Sequence, residues 1–367
     1  MQMKKIKKCT LAIAALLASA SSSATMIELN YDPTQFEGEQ GQNALAGFQA
    51  AANFWSNLFI DDTVINLGIS FAELDPYVIG STNSSKDAYL YQDVALSMIL
   101  DATSSFDESA IYSLPCEDQG NGLCNFSFID QENLGAPESP ELDDDGSADN
   151  AYLYLTQANA KALGLGEGFF GWDALDAQIT FSSAFAFDFD RTDGIDSDKM
   201  DFIGVAIHEI GHALGFVSGV DTYDFVYNSG LFDPDQPDLD GYALASPLDL
   251  FRFSDYSLLA GVGVRDFAPM NGQFFSIDGG LTALAPFSTG RFGGDGNQAS
   301  HFKDNLELGI MDPTFAFGEF GDVTLLDAIA FDVIGWDLNI RKVPEPGTLA
   351  LFGIAFASLF ALRRKKA

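Results

Sequence analysis

The sequence feature that most constrains this chain is the pattern His-Glu-x-x-His formed by His208, Glu209 and His212. Two histidines four residues apart on a helix lie one turn above the other on the same face, so both imidazoles can bind one metal ion. Glu209 is placed to take a proton from a water molecule that the metal activates. Apolar residues fill the rest of the stretch and predict a buried helix, where polar groups need partners.

The third histidine supplies a candidate for the remaining ligand. The chain has only three histidines, and the third is His301, ten residues before Met311. A catalytic zinc ion takes three protein ligands and keeps one position open for water. His301 is therefore a candidate ligand beside His208 and His212. A carboxylate as third ligand stays open as an alternative, with three candidates: Asp221, Glu307 and Glu319.

Together with Gly215 and Phe216, the motif resembles the zinc-binding motif of the metzincin metallopeptidases. In most metzincins the third histidine comes three residues after the glycine, but Ser218 holds that position here. The leishmanolysin-like branch has a long insertion before its third histidine, followed by a methionine turn. His301 and Met311 resemble that arrangement.

The resemblance covers residues 199–217 and 299–337 and implies an α+β zinc peptidase fold for residues 25–340. Such a domain has a twisted, mostly parallel sheet with an antiparallel edge strand and an active-site helix. An irregular C-terminal half with a Met turn and a terminal helix follows. The implied roles are Zn²⁺ binding by His208, His212 and His301, general-base catalysis by Glu209, and packing beneath the metal by Met311.

The function that this resemblance implies is a secreted or cell-surface zinc-dependent endopeptidase acting on proteins or peptides. One alternative is a surface or matrix protein whose fold is stabilised by zinc, which would not need Glu209. Another is a zinc peptidase of a different clan with a carboxylate as third ligand.

Both ends of the chain have the pattern of sorting segments. Four lysines, an apolar run from Leu11 to Ala20 and small residues ending at Ala24 predict a signal peptide at 1–24. Residues 341–367 contain Pro-Glu-Pro and an apolar run that is followed by four basic residues, and resemble the PEP-CTERM sorting signal of Gram-negative bacteria. The resemblance implies export through the inner membrane, then removal by an exosortase-type enzyme. A permanent tail anchor is the alternative, and this segment is the only predicted membrane contact.

The charge of the chain restricts its partners. Eight of the 18 Lys and Arg residues lie within 1–24 and 363–366, which leaves ten in residues 25–346 against 53 Asp and Glu, a net charge near −43. Such a charge argues against nucleic acid and anionic membranes as partners. Carboxylates alternate along 233–241 as in calcium loops, without EF-hand spacing. That run and the acidic run 188–198 are predicted to be solvated loops, with Ca²⁺ binding as the alternative.

Two cysteines remain after the signal peptide, Cys116 and Cys124. In the oxidising compartment that export implies, the pair is predicted to close a short loop as a disulfide, with metal binding as the alternative.

Hydrophobic periodicity predicts the other elements. Asp196 or Asp198 is predicted to cap the motif helix, and the resemblance implies that 176–183 is the edge strand beside the cleft. The predicted elements are helices at 40–59, 89–102, 151–163 and 324–334, strands at 64–71 and 176–183, and a hairpin at 274–282.

Overall fold

The computed structural model describes residues 24–74, 78–120, 122–130, 141–232, 239–269 and 272–339. The predicted sorting segment at 341–367 lies outside these ranges, as do all of the predicted signal peptide except Ala24 and residues 233–238 of the second acidic run. Within the described ranges, no helix combines the length and apolar character needed to cross a membrane.

The described residues form nine α-helices and two 3-10 helices. The α-helices are α1 (Gly38–Leu58), α2 (Tyr91–Asp101), α3 (Ser105–Ile111), α4 (Ala148–Ala151), α5 (Gln157–Ala162), α6 (Phe202–Ala213), α7 (Val220–Asn228), α8 (Asp255–Ala260) and α9 (Leu325–Val333). The 3-10 helices are Pro33–Phe36 and Pro247–Phe251.

Fourteen strands lie in the same part of the chain. They are β1 (Met26–Asn30), β2 (Val64–Ala72), β3 (Gly80–Ser84), β4 (Lys86–Leu90), β5 (Phe128–Asp130), β6 (Glu141–Asp143), β7 (Tyr152–Thr156), β8 (Ala177–Ser182), β9 (Phe187–Asp188), β10 (Met200–Asp201), β11 (Arg252–Phe253), β12 (Arg265–Asp266), β13 (Phe274–Phe275) and β14 (Ala285–Pro286).

The main sheet has the order β1-β2-β8-β3. β1, β2 and β8 are parallel, and β3 runs antiparallel to β8, with Gly80 opposite Phe181. β3 is therefore an edge strand. The expectation that 176–183 forms the edge is wrong, because β8 pairs on both sides. Its alternating pattern identifies a strand but carries no information on its neighbours.

Helices α1 and α6 pack together through buried side chains. Trp55 of α1 is fully buried and donates its indole N–H to the Ile207 carbonyl of α6 at 3.0 Å. Between the helices and the sheet, Phe48, Phe181 and Phe202 meet edge to face or tilted, with ring centroids 4.8–5.2 Å apart. Such aromatic packing places α6 at a fixed position against the sheet.

Helix α9 comes from the C-terminal part of the described chain and packs against the same core. Thr324 caps it, and Trp336, just beyond it, donates its indole N–H to the Leu214 carbonyl at 2.8 Å. Phe331 lies 4.6 Å from Trp55, centroid to centroid. The mixture of helices and sheets confirms the predicted α+β class.

Two local predictions are wrong. Residues 151–163 form strand β7 and the short helix α5, because Tyr152 to Thr156 alternate between buried and partly exposed positions and pair with β4. The cap of α6 is Asp201, rather than Asp196 or Asp198. Those two precede the short strand β10, which delays the start of the helix.

Candidate metal centre

Helix α6 carries the first two histidines. Asp201 caps the helix by accepting a hydrogen bond from the Gly204 N–H at 3.0 Å, and its carboxylate pairs with Arg191 at 2.6 Å. The bond from Gly204 gives a partner to one of the N–H groups of the first turn, which have none within the helix. The ion pair holds the capping carboxylate in place. His208 and His212 follow on one face, and their Nε2 atoms lie 3.1 Å apart.

The turn after α6 depends on glycine. Gly215 has a φ of 119°, a conformation that L side chains rarely adopt. The chain turns back so that the Phe216 carbonyl accepts a hydrogen bond from His212 Nδ1 at 2.7 Å. This bond fixes the ring of His212 and leaves its Nε2 facing the Nε2 of His208.

Met311 lies under the same helix. A Cβ added to Gly211 would come within 2.7 Å of the Met311 sulfur, so only glycine allows this close approach. Met311 is fully buried. The preceding residue, Ile310, accepts a hydrogen bond from His208 Nδ1 at 2.7 Å. The Met turn therefore supports the helix and orients the first histidine.

The third histidine comes from an irregular segment. His301 lies 89 residues after His212, and their Nε2 atoms are 3.1 Å apart. Its Nδ1 donates to the Gln298 carbonyl at 3.2 Å. The Ser288 N–H donates to the His301 carbonyl at 3.0 Å, and the Phe302 N–H donates to the Met311 carbonyl at 2.9 Å. The structure thus brings all three histidines together.

The donor geometry fits zinc. Two nitrogens bound to a tetrahedral zinc ion at about 2.0–2.1 Å lie about 3.3 Å apart. The three Nε2–Nε2 distances are 3.1, 3.1 and 3.3 Å. Each Nδ1 bonds a backbone carbonyl, so each Nε2 directs a lone pair to one point. Three lone pairs at this separation repel one another unless a cation lies between them.

Burial keeps His212 and His301 neutral. Desolvation, together with a smaller effect of the neighbouring His208, lowers the pKa of His212 to about 3. Desolvation also lowers the pKa of His301 well below its usual value, with smaller contributions from His212 and His208. Neutral imidazole is the form that binds metal.

Glu209 is held by the edge strand. The Thr82 hydroxyl of β3 donates to Glu209 Oε2 at 2.7 Å and lies 3.0 Å from the Glu209 carbonyl. A Cβ on Gly80 would lie 3.0 Å from Oε1, so a side chain at that position would crowd the carboxylate. Burial raises the pKa of Glu209, while His208 and the Thr82 bond lower it. Thr82 was not identified from the sequence, because nothing local marks a threonine that contacts a residue 127 positions away.

A cleft of about 780 Å³ runs over these residues. Its walls come from β3, from α6 and from residues near His301. β3 pairs with β8 along one edge, and no strand in the described ranges pairs with its other edge. Free backbone N–H and C=O groups along a cleft can bind an extended peptide as an added strand.

The carboxylates proposed as alternative ligands have other partners. Asp221 accepts hydrogen bonds from the N–H groups of Ala299 and Ser300 at 2.6 and 3.2 Å, which supports the His301 segment. Glu319 accepts from the Ala316 N–H at 2.7 Å, and Glu307 lines a different cavity. Ser218 donates to Asp249 at 2.6 Å. Within the described ranges, the donor group at the centre consists of the three histidines.

The remaining predicted sites lie away from the centre. Cys116 and Cys124 form a disulfide, and neither lines the cleft. In the first acidic run, Asp188 accepts two backbone N–H groups and Asp196 pairs with Lys199. Calcium binding stays a prediction. Asp240, from the second acidic run, lies in a cluster with two residues that the sequence did not indicate, and their carboxylate oxygens come within 4.8 Å of one another: Asp143, Asp149 and Asp240.

Comparison with known proteins identifies the C-terminal segment. The PEP-CTERM protein-sorting motif matches residues 342–365. No curated protein matches the chain, and no solved structure matches it. The motif indicates export and sorting to the surface or exterior of a Gram-negative bacterium, and recognition by an exosortase-type processing enzyme.

Proposed function

We propose that this protein is an exported zinc-dependent endopeptidase. The observation that carries the proposal is the convergence of three histidine Nε2 atoms, 3.1–3.3 Å apart, in a cleft that also contains Glu209. A zinc ion needed only for stability would be closed by a fourth protein ligand. The fourth side of this histidine group instead faces the cleft.

In the proposed mechanism the chain holds and orients the reactants. Bound zinc supplies a Lewis acid that lowers the pKa of water and polarises the scissile carbonyl. Glu209 accepts the proton of the attacking water and returns it to the leaving amine. Thr82 holds Oε2, which would leave Oε1 to accept the proton of the water. The open edge of β3 binds the substrate backbone as an added strand.

We also infer that the domain belongs to the leishmanolysin-like metzincins. Support comes from the glycine turn after α6, from Met311 beneath Gly211, and from the 89-residue separation between His212 and His301. A parallel sheet with an antiparallel edge strand over the cleft is the architecture that the family resemblance implies.

The test is a casein digestion assay with protein purified after export. Wild-type protein is expected to contain one zinc ion per chain, to cleave casein, and to lose cleavage with a chelator. Glu209→Ala is expected to keep its zinc and to lose activity by about 10²-fold or more, the usual contribution of a general base. If Glu209→Ala cleaves casein at the wild-type rate, Glu209 is not the base. A protein that holds zinc and cleaves no substrate would instead be a zinc-stabilised surface protein.

A further inference from the structure

Two cations in the described part of the chain have side chains with neither a hydrogen bond nor an ion pair, although acidic residues outnumber basic ones 53 to 18 in the sequence. The described ranges contain eight Lys and Arg residues. Six of them are bound by carboxylates or by backbone carbonyls: Lys161, Arg191, Lys199, Arg252, Arg265 and Lys303. The side chains of Lys86 and Arg291 make no hydrogen bond and no ion pair with any described residue.

Both unpaired cations line the cleft of the metal centre. Lys86 begins strand β4, directly after the edge strand β3, and Arg291 belongs to the loop after β14. The Lys86 ammonium lies 5.7 Å from the centre of the Tyr154 ring, and Arg291 lies 6.0 Å from that of Phe292. Among the eight described cations, the two whose side chains lack such partners therefore lie in the same cleft.

Lys86 is close to the candidate metal ligands. Burial is the main cause that lowers the pKa of His212, and the charge of Lys86 contributes to it. Burial also lowers the pKa of Lys86, against the opposing effects of Asp221 and Asp249. Those carboxylates accept other donors: Asp221 binds two backbone N–H groups, and Asp249 binds Ser218 and Arg252. Neither forms an ion pair with Lys86.

An unpaired ammonium in a partly buried cleft favours an anion, because charge pairs are stronger where water is displaced. We propose that the cleft selects peptide substrates with a carboxylate near the scissile bond, which Lys86 binds beside the metal ligands and Arg291 attracts from the exposed rim. This inference rests on the proposed peptidase function. The carboxylate belongs either to an Asp or Glu side chain or to the C-terminus of a short peptide.

The test uses internally quenched peptides in matched pairs. One set exchanges Gln for Glu at each position around the cleaved bond, and the other exchanges a C-terminal amide for a free carboxylate. Wild-type protein is expected to favour one carboxylate peptide by about 10-fold or more in kcat/KM, as for a hydrogen bond to a charged group. The set in which the preference occurs identifies the source of the carboxylate.

Variants of the two cleft cations test which residue causes the preference for the carboxylate peptide. Lys86→Met keeps the length of the side chain without its charge and is expected to reduce the preference to about 2-fold or less, while the neutral peptide is still cleaved. Arg291→Gln is expected to reduce the preference by a smaller factor, because Arg291 is exposed. Lys199→Met removes a charge outside the cleft and is expected to keep the full preference. Equal cleavage of the paired peptides by wild-type protein, or a preference that survives in the Lys86→Met/Arg291→Gln double variant, would overturn the proposal.

A binding measurement separates this inference from the proposed function. If wild-type protein cleaves none of the peptides, the same pairs carrying a fluorescent label are titrated with the zinc-loaded protein and followed by anisotropy. Tighter binding of a carboxylate peptide that disappears in Lys86→Met supports anion selection in the cleft even without peptidase activity. Equal binding of both peptides refutes it.

Discussion

The candidate metal centre takes its histidines from two regions that are stabilised in opposite ways. Helix α6 provides His208 and His212 and is held mainly by apolar and aromatic packing between α1, the sheet and α9. The segment 297–303, which provides His301, has no helix or strand of its own. Buried polar groups position it instead, because backbone groups outside helices and sheets need other hydrogen-bond partners.

Three charged residues do most of this positioning, and two of them, Arg252 and Asp327, are fully buried. Arg252 is fully buried and donates to the Ala299 carbonyl at 2.5 Å and the Ser288 carbonyl at 3.2 Å, besides its ion pair with Asp249. Asp221 binds the segment from the other side through two N–H groups. Asp327 accepts the N–H groups of Ile310 and Met311 and so fixes the Met turn. A packed helix tolerates small changes, whereas such a network fails when one member is removed.

The largest expected effect is that of the third ligand. His301→Ala should weaken zinc binding by orders of magnitude, because it removes one of three ligands while leaving α6 intact. Zinc content after dialysis and casein cleavage measure this effect. Ser218→Ala, Asp221→Asn and Glu307→Gln are measured alongside. If His301→Ala keeps metal and activity while one carboxylate variant loses both, the ligand set is wrong.

The second largest effect is expected when one member of the polar network around segment 297–303 is removed. Arg252→Met should destabilise the protein by about 3–5 kcal/mol, the cost of leaving a buried charge without its partner. Chemical denaturation measures the free energy of unfolding. Lys199→Met is the control, because its ion pair with Asp196 is exposed and such pairs contribute at most about 1 kcal/mol. Similar losses in the two variants would show that the network does not hold the segment.

The disulfide lies away from both regions, so its removal is expected to lower stability without changing zinc binding. The double substitution Cys116→Ser/Cys124→Ser should lower the free energy of unfolding by about 2–3 kcal/mol, the value for a short closed loop. Zinc affinity of the folded variant should stay at the wild-type value. A large loss of zinc would mean that the loop is coupled to the centre.

The smallest effect is expected from a hydrogen bond to helix α6. Thr82→Val removes the hydroxyl that holds Glu209 and should lower kcat by about 10-fold, in line with a hydrogen bond to a charged group. Zinc content should not change. Thr82→Ser keeps the hydroxyl and should recover most of the rate. If Thr82→Ser is as slow as Thr82→Val, the methyl group of the threonine matters and the hydrogen bond does not.

The sequence by itself predicted everything at the centre that depends on local geometry. Residues four apart on a helix must share a face, so His208 and His212 form a pair wherever the helix lies. The sorting motif at 342–365 is likewise readable from composition and order. The disulfide followed from the count and spacing of two cysteines.

The tertiary structure decided what depends on long-range pairing. The sequence pointed to His301 because the chain has few histidines and because Met311 follows it, but the short distance from His301 to His212 depends on contacts of Arg252 and Asp221. The edge strand was assigned to the wrong segment, since strand alternation is the same at the edge and in the middle of a sheet. Thr82 and Lys86 carry no local signal at all, because their roles arise where distant backbone segments meet across the cleft.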